Sequence, residues 1–369
     1  MKVDFLEVLK KIDFWFESMR TAIGYGGPVV HWWDDCLFFT GVGLDWRYEG
    51  IIIGYLNLWM ATGEEKWLLK AKRAGNDLAK GQLPSGNYLN ACFELNPNTA
   101  GTPHEAAADL GLLNLACALK DIGDPDWRGY FTTAEKNLVR FYFEKLWNEQ
   151  DHCFYDAPGV PSFVANKSAT LVQALSLFGQ ASGKHEIIEK YIISSLNKIL
   201  SFQVQEGSLA GGIYQNSLYG KRIASCFPYY IARCIPGLVL GYQQLGDQKF
   251  LEAALAAGQF ILNHRYSDGS FPQVVYPAGR VNKYPQWVAP VGDILIALDL
   301  LRPYGFEYNS NPSLSWMMSG QYSDGSFQTA VGFGKARFPA RKYDPRDEIA
   351  CVGWVDKAFR YLSSRLLSC

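Results

Sequence analysis

Residues 48–59 read YEGIIIGYLNLW, an apolar run broken by two glycines and carrying no polar face. A helix that is apolar around its whole circumference is buried on every side. The same kind of segment returns at 104–119 (HEAAADLGLLNLACAL), 166–178 (NKSATLVQALSLF), 229–242 (YYIARCIPGLVLGY), 286–301 (QWVAPVGDILIALDLL) and 346–362 (RDEIACVGWVDKAFRYL). Successive starts lie 56, 62, 63, 57 and 60 residues apart. A period that regular marks a repeat architecture, and six units of about sixty fill the 369 residues.

Between these runs lie segments of a second kind: EEKWLLKAKRAGNDLAK from 64, TTAEKNLVRFYFEKLW from 132, HEIIEKYIISSLNKILSF from 185 and QKFLEAALAAGQFILNH from 248. Their apolar residues recur at helical spacing, with charge on the other face, so each is a helix with one wet side. Six wet helices around six buried ones predict an all-α fold, a single (α/α)6 toroid over residues 1–369. Its inner ring is expected at 48–60, 104–119, 166–180, 229–243, 286–301 and 346–362. The small residues of the inner runs allow close helix packing.

The turns from outer to inner helix share a pattern: Gln82-x3-Gly86-x-Tyr88, Gln203-x3-Gly207-x-Leu209, Arg265-x3-Gly269-x-Phe271 and Gln321-x3-Gly325-x-Phe327. Glycine supplies a backbone turn with positive φ, and the apolar residue two positions on can plug between helices. The pattern recurs where no single active site could be, so it reads as structural punctuation.

Charge is balanced at −1 with no basic tract, which speaks against nucleic acid as a partner. No stretch approaches the roughly eighteen apolar residues of a membrane span. MKVDFLEVLKKIDFWF, at the start of the sequence, carries acids and lacks the apolar run of a signal peptide. The eight cysteines are scattered without metal-type spacing and the five histidines show none either, so neither metal nor cofactor is expected. Thiols buried in apolar runs imply the cytoplasm. Aromatic residues reach 15%, which suits either a large core or a cavity that stacks a ligand.

The segments ATGEEKWLLKA (61–71) and LGDQKFLEAA (245–254), with the DGSF turns at 268–271 and 324–327, resemble the six-hairpin (α/α)6-barrel glycosidase superfamily. Unsaturated uronyl hydrolases, sugar epimerases and inverting glycanases share these cues. Glu49 in YEGIIIGYL resembles the acid-bearing segment of one glycanase family. Trp316, Gln321, Gly325 and Phe327 resemble the repeats of terpenoid cyclase toroids, although no DxDD or DDxxD motif accompanies them. The resemblance implies a carbohydrate-active enzyme, a glycoside hydrolase first, with an isoprenoid cyclase or a sugar epimerase as alternatives.

In a toroid the connections entering the inner helices ring one mouth, and the helix N-termini there favour anions. Candidate site residues are the charged and aromatic side chains near those starts. As the catalytic pair of carboxylates we read Asp45 or Glu49 with Glu105 or Asp109, one a general acid and the other a base. One member is expected to have its pKa raised by burial beside aromatics such as Trp46. For substrate binding the candidates are His31, Trp32, Trp33, Asp34, Asp35, Trp46, His104, Lys167, Arg233, Trp287, Asp293 and Arg346. The first five lie in the long connection of residues 24–46, and long connections in compact folds are usually functional. Lys167 or Arg233 would hold a uronate carboxylate. The substrate is expected to be a small molecule or an oligosaccharide.

Structural explanations compete with these roles. Asp45 and Asp344 suit N-caps, and Glu105 and Glu348 suit a first helical turn. Asp109 and Asp293 lie in apolar runs, where a carboxylate needs a partner. Acids gather in units 5, 6, 1 and 2, with Lys167, Arg222 and Arg233 opposite them.

Overall fold

The computed structural model describes residues 4–30, 38–89, 104–184 and 186–367, without the side chains of 38–40, 104, 188 and 189. The buried runs form six helices: α2 (Arg47–Thr62), α4 (His104–Asp121), α6 (Ala165–Ser182), α8 (Pro228–Leu245), α10 (Val291–Leu300) and α12 (Val352–Leu366). The wet-sided runs form α1 (Phe5–Ser18), α3 (Glu65–Lys80), α5 (Trp127–Asn137), α7 (Ile193–Leu200), α9 (Gln248–Asn263) and α11 (Asn311–Ser319). α5 continues in wider turns to Leu146, and a similar turn from Ile188 leads into α7.

Each inner helix packs on the next, and α12 packs on α2, so the ring closes. α1 lies against α12, α3 against α2 and α4, α9 against α8, and α11 against α10. This is the expected (α/α)6 toroid.

Backbones approach closely inside the ring. A Cβ on Gly292 of α10 would stand 2.4 Å from the Lys357 carbonyl of α12, and one on Gly50 of α2 would stand 2.5 Å from that of Asp356. Only hydrogen fits at those crossings. Capping fixes the helix ends: the Asp4 carboxylate accepts from Glu7 N–H at 3.2 Å, and Asp247 accepts from Lys249 N–H at 3.2 Å. Gly63 closes α2 in the left-handed region at φ 70°, its N–H donating to Trp59 O.

The recurrent turn pattern is punctuation, as expected. Gln82 Nε2 donates to Gly86 O at 2.8 Å and to Thr133 O of the next outer helix at 2.7 Å. Gln203 bonds Gly211 O and Ala253 O in the same manner. Tyr88, Leu209, Phe271 and Phe327 are all buried plugs.

Two inner helices start later than the apolar pattern implies. Gln286–Trp287 pairs as a two-residue strand with Ala330–Val331, so α10 begins only at Val291. Pro345–Glu348 forms one tight turn, and α12 begins at Val352. Over so few residues, apolar content does not separate a buried strand from a helix. The mouth connections carry other short antiparallel strand pairs too, among them 28–30 with 38–40 and 162–164 with 216–218. Among the described residues no helix is long and apolar enough to cross a membrane.

Candidate active site

The centre of the ring holds four ionised side chains from four helices. Glu49 comes from the first turn of α2, Arg233 from α8, Asp293 from α10 and Arg360 from α12. Arg233 Nη2 donates to Glu49 Oε2 at 2.7 Å, and Nη1 to Glu49 Oε1 at 3.1 Å and Asp293 Oδ2 at 3.2 Å. Arg360 Nη1 donates to Glu49 Oε1, shared with Arg233, and Nη2 to Asp293 Oδ1, the oxygen that Arg233 does not bond. The result is a closed cycle of alternating charge. Thr170 Oγ1 of α6 accepts from Arg233 at 3.1 Å, and the Tyr229 hydroxyl donates to Asp293 at 3.1 Å.

All four charges are nearly out of solvent. Burial alone pushes both carboxyls up, but the guanidiniums outweigh it. Arg233, Arg360 and Lys357 hold Glu49 below the ordinary glutamate range. Arg360, Arg233 and Lys357 bring Asp293 down to about 2. Both acids are therefore ionised at neutral pH. Of the expected carboxylates, Glu49 beside Trp46 is therefore not the one with a raised pKa, because the arginines dominate the apolar surroundings; the raised one is Asp109.

Above the cycle opens a narrow pocket, about 450 Å³ with the open solvent at its mouth included. Trp46, Trp354, Tyr229 and Tyr230 form its apolar walls, while Glu49, Arg233, Lys167, Lys357, Asn166 and Thr170 supply its polar groups. Trp46 is fixed by donating Nε1–H to Gly353 O at 2.8 Å. Trp287 backs the wall, its ring centroid 4.5 Å from that of Trp354. Lys167 Nζ donates to Asp156 Oδ1 at 2.6 Å. Lys357 Nζ donates to Asp356 Oδ2 at 2.6 Å and to Trp46 O at 3.3 Å. Burial raises the Asp356 carboxyl to about 7, against the pull of Lys357.

Of the sequence candidates, the structure brings Trp46, Glu49, Lys167, Arg233 and Asp293 together, with Trp287 one ring behind. Four others stand elsewhere. Asp45 is fully buried on Arg47, Nε to Oδ1 at 2.9 Å and Nη2 to Oδ2 at 3.2 Å, and is not part of the pocket wall. Arg346 repeats that local pair with Asp344, Nη2 to Oδ2 at 2.7 Å, beneath the Phe333 ring. Glu105 is buried in the first turn of α4 without lining the pocket.

Asp109 faces outward from the ring. It accepts from the Tyr88 hydroxyl at 2.6 Å and from Asn137 Nδ2 of α5 at 2.7 Å. Its carboxyl is pushed up to about 8 by burial, and it is no counter-ion to Arg233 or Lys167. His31, Trp32, Trp33, Asp34 and Asp35 lie outside the described residues, as does the side chain of His104 at the start of α4.

The segregation of acids from cations does not hold either, since Arg233 reaches across the ring to Glu49. Residues passed over in the sequence are Trp354, Asp356, Lys357 and Arg360 on α12. Their signal is three charges inside a run otherwise destined for the core, in the second and third turns of α12 once its start is set at Val352. Among the described residues no group of three or more His, Cys, Asp or Glu could hold a metal ion.

No protein-family model matches this sequence, and no curated protein matches it by sequence. Solved structures do. A D-mannose isomerase superposes with a TM-score of 0.71 at 12% identity, covering 100% of this chain and 98% of the isomerase. The unsaturated glucuronyl hydrolase of Bacillus sp. GL1, responsible for the degradation of glycosaminoglycan, gives 0.65 at 14% identity, over 97% and 94% of the two chains. An inactive variant of a Salegentibacter α-1,6-mannanase, in complex with α-1,6-mannotetrose, gives 0.65 at 12%, over 99% of each. At such identities the likeness shows the fold alone, the (α/α)6 barrel.

Proposed function

We propose that this chain is a glycoside hydrolase that binds a uronate-containing saccharide in the pocket above the charged cycle. The observation that carries the reading is the position of Glu49: a buried carboxylate on a pocket wall, held by Arg233, among two tryptophans and two tyrosines. Aromatic faces stack on sugar rings, and a guanidinium pairs with a carboxylate through two parallel bonds. The polar groups of the pocket do not suit the dry cavity that an isoprenoid cyclase needs, so the cyclase alternative is not carried forward.

The cycle suggests how one acid changes role. In the free protein both carboxylates are ionised, and neither is a proton donor. A uronate carboxylate that takes Arg233 for itself removes the largest influence keeping Glu49 ionised. Glu49 stays buried, takes up a proton and becomes the general acid that protonates the leaving glycosidic oxygen. Asp293, which lies behind Arg233 and does not line the pocket, keeps Arg360 and the Tyr229 hydroxyl and remains the ionised partner; it acts as the base toward water only where Arg233 has moved to the substrate. Both carboxylates bond one nitrogen of Arg233, so their nearest oxygens are within about 6 Å, comparable to the roughly 5–9.5 Å that glycosidases use. A cytoplasmic location belongs to the same reading: Cys117, Cys153, Cys226, Cys234 and Cys351 are free thiols.

The test is hydrolysis of an unsaturated uronyl disaccharide beside neutral mannobiose. Calorimetry of uronate binding in two buffers of different ionisation enthalpy accompanies it. We expect turnover of the uronyl substrate, proton uptake on binding, and loss of both in Glu49→Gln, with kcat down about 10²-fold or more and helicity unchanged. Interconversion of free sugars without bond cleavage, or full turnover by Glu49→Gln, overturns the proposal.

A further inference from the structure

The connections that enter α10 and α12, residues 271–287 and 327–343, together carry six cations and no Asp or Glu. They are neighbours: Gln286–Trp287 pairs with Ala330–Val331, and Lys335 Nζ lies 5.1 Å from the centre of the Tyr284 ring. Four of the cations are set on aromatic faces or project to solvent. The Arg280 guanidinium sits 4.3 Å over Tyr276, and Lys283 Nζ sits 4.6 Å over Tyr266. Lys335 and Lys342 are exposed. None of these four makes an ion pair among the described residues.

Of the acids that flank the two connections, Asp268, Asp324 and Glu348 are exposed, while Asp344 and Asp347 turn inward. Asp344 is bound by Arg346, and Asp347 Oδ1 accepts from Phe333 N–H at 2.9 Å. Phe338 and Tyr343 stand out on the same connection, with relative exposures of 103% and 64%. Exposed aromatics among unpaired cations are costly to leave bare and mark a contact surface.

This surface is joined to the pocket. Trp287, at its base, packs on Trp354, which forms the pocket wall. We propose that residues 271–287 and 327–343 form a docking collar for the body of an acidic polysaccharide whose terminal residue occupies the pocket. The inference rests on the glycosidase reading for the occupant of the pocket, but on the charge pattern alone for the collar. Several weak cationic contacts along one chain act together, because once the end is seated the remaining contacts are intramolecular. Facing aromatics select a sugar chain over a simple polyanion by stacking on its rings.

The experiment compares the full chain with the variant Arg280→Gln, Lys283→Gln, Lys335→Gln, Lys342→Gln, all outside the pocket. The probes are digalacturonate and octagalacturonate, with duplex DNA and phosphatidylserine vesicles as controls. We expect wild type to bind the octamer at least about tenfold tighter than the dimer at low salt, with the advantage shrinking as ionic strength rises. The variant should lose that advantage while its KM for the uronyl disaccharide stays within about twofold of wild type. An unchanged chain-length advantage in the variant overturns the collar, as does equally tight binding of DNA or vesicles. Absence of disaccharide hydrolysis in wild type counts against the glycosidase reading instead, since the binding comparison does not depend on turnover.

Discussion

Asp109 offers a test in which a structural and a catalytic role give opposite results. Its carboxyl is wholly buried, faces no cation, and is raised from 3.8 to about 8 by that burial. It is therefore protonated in the folded protein at pH 7. Asn137 Oδ1 beside it is buried without a hydrogen-bond partner among the described residues. Rotating that amide by half a turn lets a protonated Asp109 donate to it, an assignment that amide symmetry permits.

The sign of the pH effect follows from the raised pKa. Below about pH 4 both folded and unfolded chains hold the proton. As pH rises from there toward the folded value near 8, the unfolded chain releases the proton while the folded chain keeps it, so stability is lost at about 1.4 kcal/mol per pH unit until both are ionised above about 8. Asp109→Asn has no proton to lose. It should leave stability near the wild-type value below about pH 4 and exceed it by an amount that grows to the order of 5 kcal/mol by pH 8. Urea unfolding of both proteins at pH 5, 7 and 9 measures the gap, and turnover is measured beside it. A gap that does not widen with pH refutes the buried neutral acid. A fall in kcat of about 10²-fold with unchanged stability returns Asp109 to the catalytic pair.

Removing one arginine from the central cycle, as in Arg360→Met, should cost about 3–5 kcal/mol, because two buried carboxylates lose a partner. Glu49 and Asp293 have lowered pKa values, so their stabilisation is present above about pH 4.5 and is lost as pH falls toward about 2. In the variant that acid loss should begin at higher pH, read from ellipticity during acid titration; an unchanged acid midpoint would contradict the cycle. Gly292→Ala drives a methyl against the Lys357 carbonyl and should unfold the ring at markedly lower temperature, whereas Gly63→Ala meets nothing within 4 Å and should cost only about 1 kcal/mol for its positive φ. Calorimetric melting separates the two, and equal losses would refute the close inner crossings. Trp354→Ala should raise KM for a sugar substrate by about tenfold or more with kcat less affected, since the ring is a pocket wall; an unchanged KM would remove it from the binding surface.

The ring was legible because six buried helices need six similar apolar runs, and a closed repeat spaces them evenly. The first turns of α2, α6 and α8 were legible for the same reason, and with them Glu49, Lys167 and Arg233. Arg360 and Lys357 escaped because α12 was started six residues early, which moved attention to Arg346. The pairs Asp45-x-Arg47 and Asp344-x-Arg346 share one spacing and one geometry, a local signal that each acid is held by its own neighbour. Asp109 is different. A carboxylate in an apolar run must have partners, but the run does not say on which side. Tyr88 and Asn137 come from a turn and an outer helix, and only the packed ring turns Asp109 toward them.

The closed cycle also orders events in time. Glu49 and Arg360 are 311 residues apart in sequence, yet they share a hydrogen bond. At the pace of a ribosome, roughly 15 to 60 seconds pass between the synthesis of one and of the other. Hairpins of neighbouring helices can form during that interval, but a helix pair bearing Glu49 holds a carboxylate that no guanidinium covers until Arg233 of α8 is made, and Arg233 and Asp293 lack their second partner until Arg360 follows. Burying these charges before then is unfavourable, so the ring is held open until the last unit arrives. The charges that make the pocket thereby also delay its closure, and a nascent chain released before α12 should expose the inner face of α2 to chaperones rather than settle into a five-unit ring.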